Sequence, residues 1–451
     1  MTAAAIARAV SDRRMTVAGV VERALAACAA DDCNAVTEIL HDRARARAAR
    51  MDASGDVGGP LAGVPFAVKN IFDVRGLVTR AGSAATDGDA PAGTDAYVIE
   101  ALEMAGAVLV ATTNMDEFAY GFSGENAHDG DTVNPRARGL SAGGSSSGSA
   151  ALVAQGAVPL ALGTDTNGSA RVPAALCGIV GVKPTYGRVS RRGVFPFVPS
   201  LDHVGLFAAT VADAALAFAA LDRFDADDPV AVRGTVPEGQ TPPTAARLGG
   251  WFAGPLHADV AAAVNDACAV LGAQQTLTLD LAEEARAASF ILTTAEGGQG
   301  HLTRLAARPD DYGPLVRYRL TAGAMVPATW VGRAQRLRRM VTAGLAVLHR
   351  QADVLIAPAT PCPAFPLGTA DWDVAGTILP IRLGIGMFTQ ALTLTGVPVL
   401  VISRQGAVSG LPVGVQLIGA PHTEAALFAA AAQLEAAGFC IAPVREVYAD
   451  A

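Results

Sequence analysis

The feature that most constrains this chain is the stretch at residues 145–169, where two serine-containing clusters of small residues flank a short apolar segment. The first cluster covers residues 143–148, Gly156 interrupts the apolar segment, and the second cluster ends at Ser169. Small residues let the backbone approach a ligand closely and let successive N–H groups point at one spot. The two loops are therefore predicted to return toward each other and to bind a phosphate or an oxyanion.

Three interpretations of the stretch compete. A phosphate-binding loop needs Gly-Lys-Ser/Thr at its end, and that run is absent from the sequence. A nucleophile elbow is formally present at residues 144–148, which read Gly-Ser-Ser-Ser-Gly, but residues 134–139 before it have the composition of a turn and not of a strand. A purely structural turn is the usual role of Gly/Ser clusters, and the stretch taken alone leaves that interpretation open.

Longer motifs decide between these interpretations. Gly-Gly-Ser-Ser at residues 143–146, Gly-Thr-Asp-Thr-Asn-Gly-Ser at 163–169 and Val-Pro-Phe-Ala-Val-Lys-Asn at 64–70 resemble, in this order and spacing, the amidase signature family of serine amidohydrolases. In that family a lysine, a serine after a cis peptide bond and a nucleophilic serine form the catalytic triad. The resemblance assigns these roles to Lys69, Ser145 and Ser169.

The resemblance also implies a fold: an α/β/α sandwich with a central mixed β-sheet flanked by helices. We expect residues 1–451 to form a single amidase domain. Within it, residues 59–221 form the signature core, residues 225–350 form a variable insert that sets substrate specificity, and residues 353–440 complete the sheet with strands and a helix. No cofactor is expected.

Further roles at the site follow from the same resemblance. The oxyanion hole is expected from backbone N–H groups at Thr166, Asn167, Gly168 and Ser169, and substrate contacts are expected from Tyr120, Gly144 and Asn167. Lys69 ends an apolar strand, and apolar neighbours lower the pKa of a lysine because they desolvate its charged form. Lys69 is therefore expected to act as a base.

Other polar residues near the motifs are interpreted as structural. Arg171 is expected to form an ion pair with Asp165, and Asp202 and His203 are expected to be scaffold because the family uses no such pair in its chemistry. His128 is interpreted as a loop histidine.

Periodicity and capping signals predict the secondary structure outside the motifs. Thr16 is predicted to cap the second helix, and Thr94 or Asp95 the fourth. Helices are predicted at residues 3–10, 17–29, 41–51, 95–105, 257–271, 327–351 and 423–438, and strands at 34–40, 64–69, 107–112, 353–358, 397–403 and 411–418. Residues 225–243 read as an acidic, proline-rich connector.

Composition limits the partners. The net charge of −8 argues against nucleic acid and against anionic membranes, which both need a basic face, so a small molecule is expected as substrate. The six cysteines and seven histidines show no ligand spacing, which predicts no metal. The N-terminus lacks a signal-peptide pattern and no apolar run is long enough to span a bilayer, which predicts a cytoplasmic protein.

Several segments resemble the branch of the family that acts on biuret-type compounds in s-triazine breakdown. They lie at residues 165–169, where Asn167 replaces the usual glycine, and at 191–198, 249–252 and 295–298, and the resemblance extends to 333–339. The implied substrate is 1-carboxybiuret or a related biuret- or urea-type compound, a small anionic or neutral amide that is cleaved with release of ammonia. Ser147, where the family usually has glycine, and Ala170, where the branch usually has isoleucine, depart from the pattern.

Alternatives remain open at this point. The chain shares residues 114–118 and 183–190 with the glutaminase (A) subunit of the tRNA-dependent amidotransferase, and another small-amide amidase is a further possibility. A catalytically silent scaffold subunit is the alternative of another class. The branch implies a complex with a small helical accessory subunit, docked on residues 327–351 or on the N-terminal helices, whereas a homodimer is the commonest soluble assembly.

Overall fold

The computed structural model describes residues 1–55, 57–234 and 243–448. Residues 235–242 of the predicted connector lie outside the described residues. Every helix and strand predicted by periodicity is present, with ends that shift by at most three residues. The helices are α1 Ala3–Ser11, α2 Val17–Ala29, α3 His41–Ser54, α4 Tyr97–Met104, α5 Ser147–Gln155, α6 Arg171–Cys177, α7 Val211–Leu221, α8 Ala258–Val270, α9 Ala282–Ala307, α10 Pro314–Ala324, α11 Ala328–Leu348, α12 Ile381–Gly384, α13 Met387–Thr395 and α14 Glu424–Ala436.

A mixed sheet runs through the molecule in the order β1-β3-β2-β4-β6-β5-β12-β13-β9-β7-β8, and β10 and β11 form a separate hairpin. Strand β2 lies parallel between β3 and β4, whereas β4, β6, β5, β12, β13 and β9 pair antiparallel in succession. The strands are β1 Val36–Ile39, β2 Pro65–Lys69, β3 Val108–Thr113, β4 Leu160–Asp165, β5 Val180–Lys183, β6 His203–Ala208, β7 Ala245–Leu248, β8 Thr276–Leu277, β9 Val354–Pro358, β10 Asp371–Val374, β11 Thr377–Pro380, β12 Val399–Gln405 and β13 Pro412–Gly419.

Helices cover both faces of this sheet. On β13, Gly414 lies against Ala175 of α6, whereas Gly419 lies against Leu427 of α14. Successive residues of a strand point to opposite faces, so two positions five apart face opposite sides. Helices α6 and α14 therefore pack on opposite faces, and the predicted α/β/α sandwich with a central mixed sheet is confirmed.

Two capping predictions had different outcomes. Thr16 caps α2 as predicted, because its hydroxyl accepts the N–H of Gly19. The prediction for α4 was wrong, because that helix begins after Ala96 without a side-chain cap. The Asp95 carboxylate is instead held by the Arg43 guanidinium in a charge-assisted pair, with a shortest N–O distance of 2.7 Å, and by the N–H of Arg75.

The insert contains one long helix that periodicity did not reveal. Helix α9 carries Gly297 and Gly298 in its middle, and glycine lowers helix propensity by about 1 kcal/mol relative to alanine. A Cβ on Gly298 would lie 2.4 Å from the backbone nitrogen of Ala324, and a Cβ on Gly323 would lie 1.9 Å from the carbonyl oxygen of Thr294. These glycines allow α9 and α10 to approach closely, so tertiary packing offsets their weak propensity.

Within the described part of the chain, no helix is long and apolar enough to cross a membrane. All six cysteines are free thiols.

Candidate active site

Lys69 lies at the end of the buried central strand β2 and is fully buried itself. Its Nζ atom is 2.8 Å from the Ser145 hydroxyl and 2.8 Å from the Thr164 hydroxyl. Thr164 belongs to the neighbouring parallel strand β4, which explains how it reaches the same point. The structure thus brings Lys69 and Ser145 together as predicted.

Burial changes the proton affinity of this lysine. Desolvation lowers the pKa of Lys69 to about 7, although the carboxylates of Asp116, Asp202 and Asp165 act in the opposite direction. The amine is therefore substantially neutral at physiological pH. A neutral amine beside a serine hydroxyl can accept its proton.

The two serine loops lie next to each other. The N–H of Ser146 donates to the carbonyl oxygen of Ser169 over 3.3 Å, and the Ser146 hydroxyl donates to the carbonyl oxygen of Thr164 over 3.1 Å. The Gly144–Ser145 peptide bond is cis, as the resemblance implied. Helix α5 begins directly after these serines, and the residues immediately before them form no strand, so the nucleophile-elbow interpretation fails on its structural test.

The loop from Thr166 to Ser169 presents its backbone N–H groups. Among the described residues, none of these four groups donates a hydrogen bond to a protein acceptor. Gly168 has φ of +140°, and a Cβ there would lie 2.2 Å from the Thr389 hydroxyl, so only glycine fits. Adjacent unpaired donors of this kind can stabilise an oxyanion.

Buried polar contacts hold the loop from both ends. Arg171 and Asp165 are fully buried and form a bidentate pair at 2.9 Å, which confirms the predicted ion pair. Burial alone raises the pKa of Asp165, but the charge and hydrogen bonds of Arg171 outweigh it and lower the pKa to about 2. At the other end the Thr166 hydroxyl donates to Asp202 over 2.6 Å, and Asp202 thus supports the loop, which agrees with its interpretation as scaffold.

Asn167, predicted to contact substrate, uses its side chain to contact the insert. Its amide nitrogen donates to the Thr293 hydroxyl over 2.7 Å, and its amide oxygen accepts the Ser289 hydroxyl over 2.5 Å. Both partners lie on α9. The side chain therefore ties the serine loop to the insert, although Asn167 also forms part of the pocket wall.

Asp116 lies against both residues of the cis peptide bond, Gly144 and Ser145. Its backbone N–H donates to the carbonyl oxygen of Ser145 over 3.2 Å, and its carboxylate accepts the N–H groups of Ser123 and Gly124. A Cβ on Gly144 would lie 2.1 Å from this carboxylate, which explains why glycine occupies position 144. Burial raises the pKa of Asp116 to about 7, against the opposing effect of Lys69.

A pocket opens onto Ser169. Tyr120, predicted to contact substrate, lines this pocket, and its hydroxyl donates to the Thr294 hydroxyl over 3.2 Å. Two guanidinium groups lie in the wall: Arg319 donates to the carbonyl oxygen of Tyr120 over 2.9 Å, and Arg382 pairs with Glu125 at 3.0 Å. The lining also includes Phe122, Phe197, Phe290, Thr293 and Gln390.

With the geometry described, comparison with known proteins settles the family. The family model for Amidase matches residues 19–428, most of the chain. The chain belongs to the amidase family. It is therefore an enzyme that hydrolyses carbon–nitrogen amide bonds.

Individual amidases refine this placement. The chain is 44% identical to the AtzE subunit of the 1-carboxybiuret hydrolase of Pseudomonas sp. (strain ADP), over 96% of this chain and 98% of that protein. It is 38% identical to the glutamyl-tRNA(Gln) amidotransferase (A) subunit of Anaeromyxobacter sp. (strain K), over 94% of both chains. A solved structure of an s-triazine catabolic enzyme, described as a vestigial protein complex, superposes with a TM-score of 0.95 at 43% identity, covering 98% of this chain and 99% of that one.

The histidines lie outside this amidase site. The His128 ring contacts the buried carboxylate of Glu117 at 3.0 Å, and the His203 ring contacts Lys183 behind the serine loop. Four residues escaped the sequence analysis as site residues: Asp116, which contacts the loop of Ser145, and Arg319, Arg382 and Gln390, which line the pocket. Asp116 falls within residues 114–118, which the chain shares with the glutaminase (A) subunit, and this match was an available signal. The other three lie in the insert or beyond it, where no motif marks them.

Proposed function

We propose that this amidase hydrolyses 1-carboxybiuret or a related biuret- or urea-type compound, with release of ammonia and through an acyl-enzyme. Lys69, Ser145 and Ser169 are proposed as the catalytic triad, with Ser169 as nucleophile. The observation that carries the proposal is the contact of 2.8 Å between the buried Nζ of Lys69 and the Ser145 hydroxyl.

The proposed proton path is a relay. Neutral Lys69 takes the proton of Ser145, which takes the proton of Ser169 as that oxygen forms a bond to the carbonyl carbon. The oxyanion is stabilised by the unpaired N–H groups of residues 166–169; removing one donor from comparable sites costs about 3–4 kcal/mol. The C–N bond then breaks, Ser145 passes the proton to the departing nitrogen and regains its own proton from Lys69, and ammonia leaves. Water hydrolyses the acyl-enzyme with the same relay as base.

The charge of the pocket supports a small anionic substrate. Arg319 and Arg382 both line it, and Glu125 is the carboxylate that pairs with Arg382. Burial lowers the pKa of Arg319, which reflects the cost of holding a guanidinium in a poorly solvated wall. Guanidinium groups bind carboxylates with directed, charge-assisted hydrogen bonds. The similarity to 1-carboxybiuret hydrolase supports the same class of substrate.

The nucleophile is tested with Ser169→Ala. We expect no acyl-enzyme and no ammonia release, whereas Ser145→Ala retains residual activity because water can replace part of the relay. A serine-directed covalent probe followed by mass spectrometry should label the wild type at Ser169. Substantial turnover by Ser169→Ala would falsify the assignment, and an unlabelled, inactive wild type would instead support a silent scaffold subunit.

The substrate is tested by measuring ammonia release from biuret, 1-carboxybiuret generated in situ, glutamine and simple aryl amides. We expect the highest kcat/KM for the carboxybiuret. Highest activity with glutamine would assign the chain to the glutaminase role instead.

A partner surface is also proposed. The N-terminal helices bury most of their apolar residues in the core, whereas α10 and α11 expose Tyr318, Met325, Trp330 and Met340. Residues 313–351 contain seven arginines and no acidic residue, although the whole chain carries a net charge of −8. Self-association through this face would bring like charges together, which favours an acidic, small helical accessory subunit over a homodimer here.

The partner is tested by expression with and without a neighbouring small open reading frame, followed by mass measurement in solution. We expect a heteromeric complex that Trp330→Glu disrupts. A dimer of this chain alone that Trp330→Glu also disrupts would assign the face to self-association.

We further propose that residues 1–451 form one domain in the cytoplasm. Strands β7 and β8 lie within the insert yet extend the main sheet beside β9, which supports a continuous unit. Limited proteolysis should release no stable fragment of residues 243–350, and cell fractionation tests the location.

A further inference from the structure

The wall of the substrate pocket contains an amide whose orientation is fixed. Gln390 lies on α13, is 6% exposed, and lines the same pocket as Ser169. Its Oε1 atom accepts the Nε hydrogen of Arg286 over 2.9 Å. A guanidinium has only donors, so the atom that faces it must be the amide oxygen and not the nitrogen. The Nε2 group of Gln390 is therefore the free end of the side chain.

The free end has no protein partner. In the three described ranges, Gln390 Nε2 donates no hydrogen bond, whereas Oε1 accepts one from Arg286. Nε2 is not among the fully buried polar atoms that lack a partner, and Gln390 lines the pocket. A nearly buried amide in a ligand pocket with two unused N–H donors points to an acceptor on the ligand.

Arg286, which sets this orientation, is itself held in place. Its Nη2 donates to the carbonyl oxygen of Leu383 over 2.8 Å, and its guanidinium lies 5.9 Å from the centre of the Trp251 ring. The Trp251 indole N–H donates in turn to the carbonyl oxygen of Met387 over 3.1 Å. Arg286 and Trp251 belong to the insert, so the insert fixes the direction in which the Gln390 donors point.

We propose that Gln390 is a specificity-determining residue that donates a hydrogen bond to the carbonyl of a biuret-type substrate that is not attacked by Ser169, with Arg286 as the positioning residue. This inference rests on the proposed function and deepens it. A biuret-type compound carries a second carbonyl one nitrogen away from the first, and a simple amide carries none. A site built to hydrogen-bond a substrate group discriminates strongly against analogues that lack it, because its buried polar group is then left unpaired.

The test compares two substrates across variants of the full chain. Gln390→Met keeps the approximate volume and removes both donors. We expect kcat/KM for biuret-type substrates to fall about 10- to 100-fold, and kcat/KM for a simple primary amide such as butyramide to change less than about threefold. Arg286→Met frees the amide to rotate and should give a smaller loss in the same direction. Arg45→Met, at a surface arginine paired with Glu22, is the control and should change neither value.

Binding is measured separately from turnover. On a Ser169→Ala background, calorimetry with biuret should show binding that Gln390→Met weakens about 10-fold or more. Equal losses on both substrates, or unchanged biuret affinity in the double variant, would overturn the role of Gln390 while leaving the proposed function intact. Absence of biuret binding to Ser169→Ala itself would instead overturn the proposed substrate, and the inference with it. Retained butyramide hydrolysis shows that the Gln390→Met protein is folded.

Discussion

Two lysines in this molecule are both fully buried, and burial lowers the pKa of each to about 7. Lys69 faces the hydroxyls of Ser145 and Thr164. Lys183 contacts the carbonyl oxygens of Pro184 and Val397 and the ring of His203. Desolvation is thus common to the two sites, and the chemistry of the neighbours differs.

The neighbours decide what each lysine can do. The His203 Nδ1 atom faces two carbonyl oxygens, so it carries the ring hydrogen, and burial lowers the pKa of this ring well below its usual value. Its Nε2 is then an acceptor, and Lys183 donates to three acceptors, which uses every hydrogen of an ammonium group. Hydroxyls, in contrast, can donate or accept, so Lys69 can lose its proton. A lowered pKa alone does not identify a base.

The contrast between the roles of Lys69 and Lys183 is tested most strongly by Lys69→Met. We expect kcat to fall about 10³-fold or more, since the relay loses its base. The free energy of unfolding should change by only about 1 kcal/mol, because methionine matches the volume and the two hydroxyls can bond to each other or to water. Ammonia release and urea unfolding curves measure the two effects, and activity near that of the wild type would refute the role of Lys69.

Lys183→Met is the matched substitution at the second site. It leaves two carbonyl oxygens and the His203 ring without a donor, and each unpaired buried group costs about 1–3 kcal/mol. We expect a loss of about 3 kcal/mol or more in unfolding free energy, with kcat reduced much less than in Lys69→Met wherever the variant remains folded. A stable but inactive Lys183→Met protein would show that the contrast between the two lysines is wrong.

The pH dependence of the wild type sharpens the contrast further. The base is neutral above its pKa, so kcat should rise with pH through about 7 and level off above it, falling about tenfold for each pH unit below that value. Stopped-flow rates of acylation from pH 5 to 9 measure this fall at low pH, the acid limb of the pH–rate profile. A flat profile with acylation rate-limiting contradicts a role for neutral Lys69.

The smallest expected effect concerns Asp116. Its carboxylate raises the pKa of Lys69, as do those of Asp202 and Asp165, so Asp116→Asn should move the acid limb to lower pH. The direction follows because removal of a negative charge favours the neutral amine, and Asp116, whose own pKa is raised to about 7, carries that charge in the upper part of the limb. Asp310→Asn, at an exposed surface pair, is the control and should leave the limb in place. An unmoved limb in Asp116→Asn would mean that this carboxylate acts only through its hydrogen bonds.

Much of this arrangement could be predicted from the sequence, because contiguous motifs carry it. Lys69, Ser145 and Ser169 each belong to a run of matching residues, and the ion pair of Arg171 with Asp165 spans only six positions. Periodicity located helices such as α2 and α11 within a few residues. Contiguous motifs and hydrophobic periodicity were sufficient to predict these features.

What escaped prediction depends on contacts between distant segments. Gln390 and Arg286 are 104 positions apart, and neither lies in a motif. Asn167 was predicted to contact substrate, but its side-chain partners on α9 are more than 120 positions away. Helix α9 was not predicted, and the glycines in its middle are explained only by the close contact with α10.

The link between Asn167 and α9 bears on how such enzymes can be re-engineered. Because the Asn167 side chain of the serine loop forms hydrogen bonds with Ser289 and Thr293, the insert cannot be exchanged independently of that loop. A chimera that takes this segment from a relative with glycine at position 167 would leave the Asn167 amide without its partners, close to the proposed nucleophile Ser169. Substrate range in this protein should therefore evolve through paired changes on the loop and the helix, and libraries that randomise both positions together should outperform those that vary either alone.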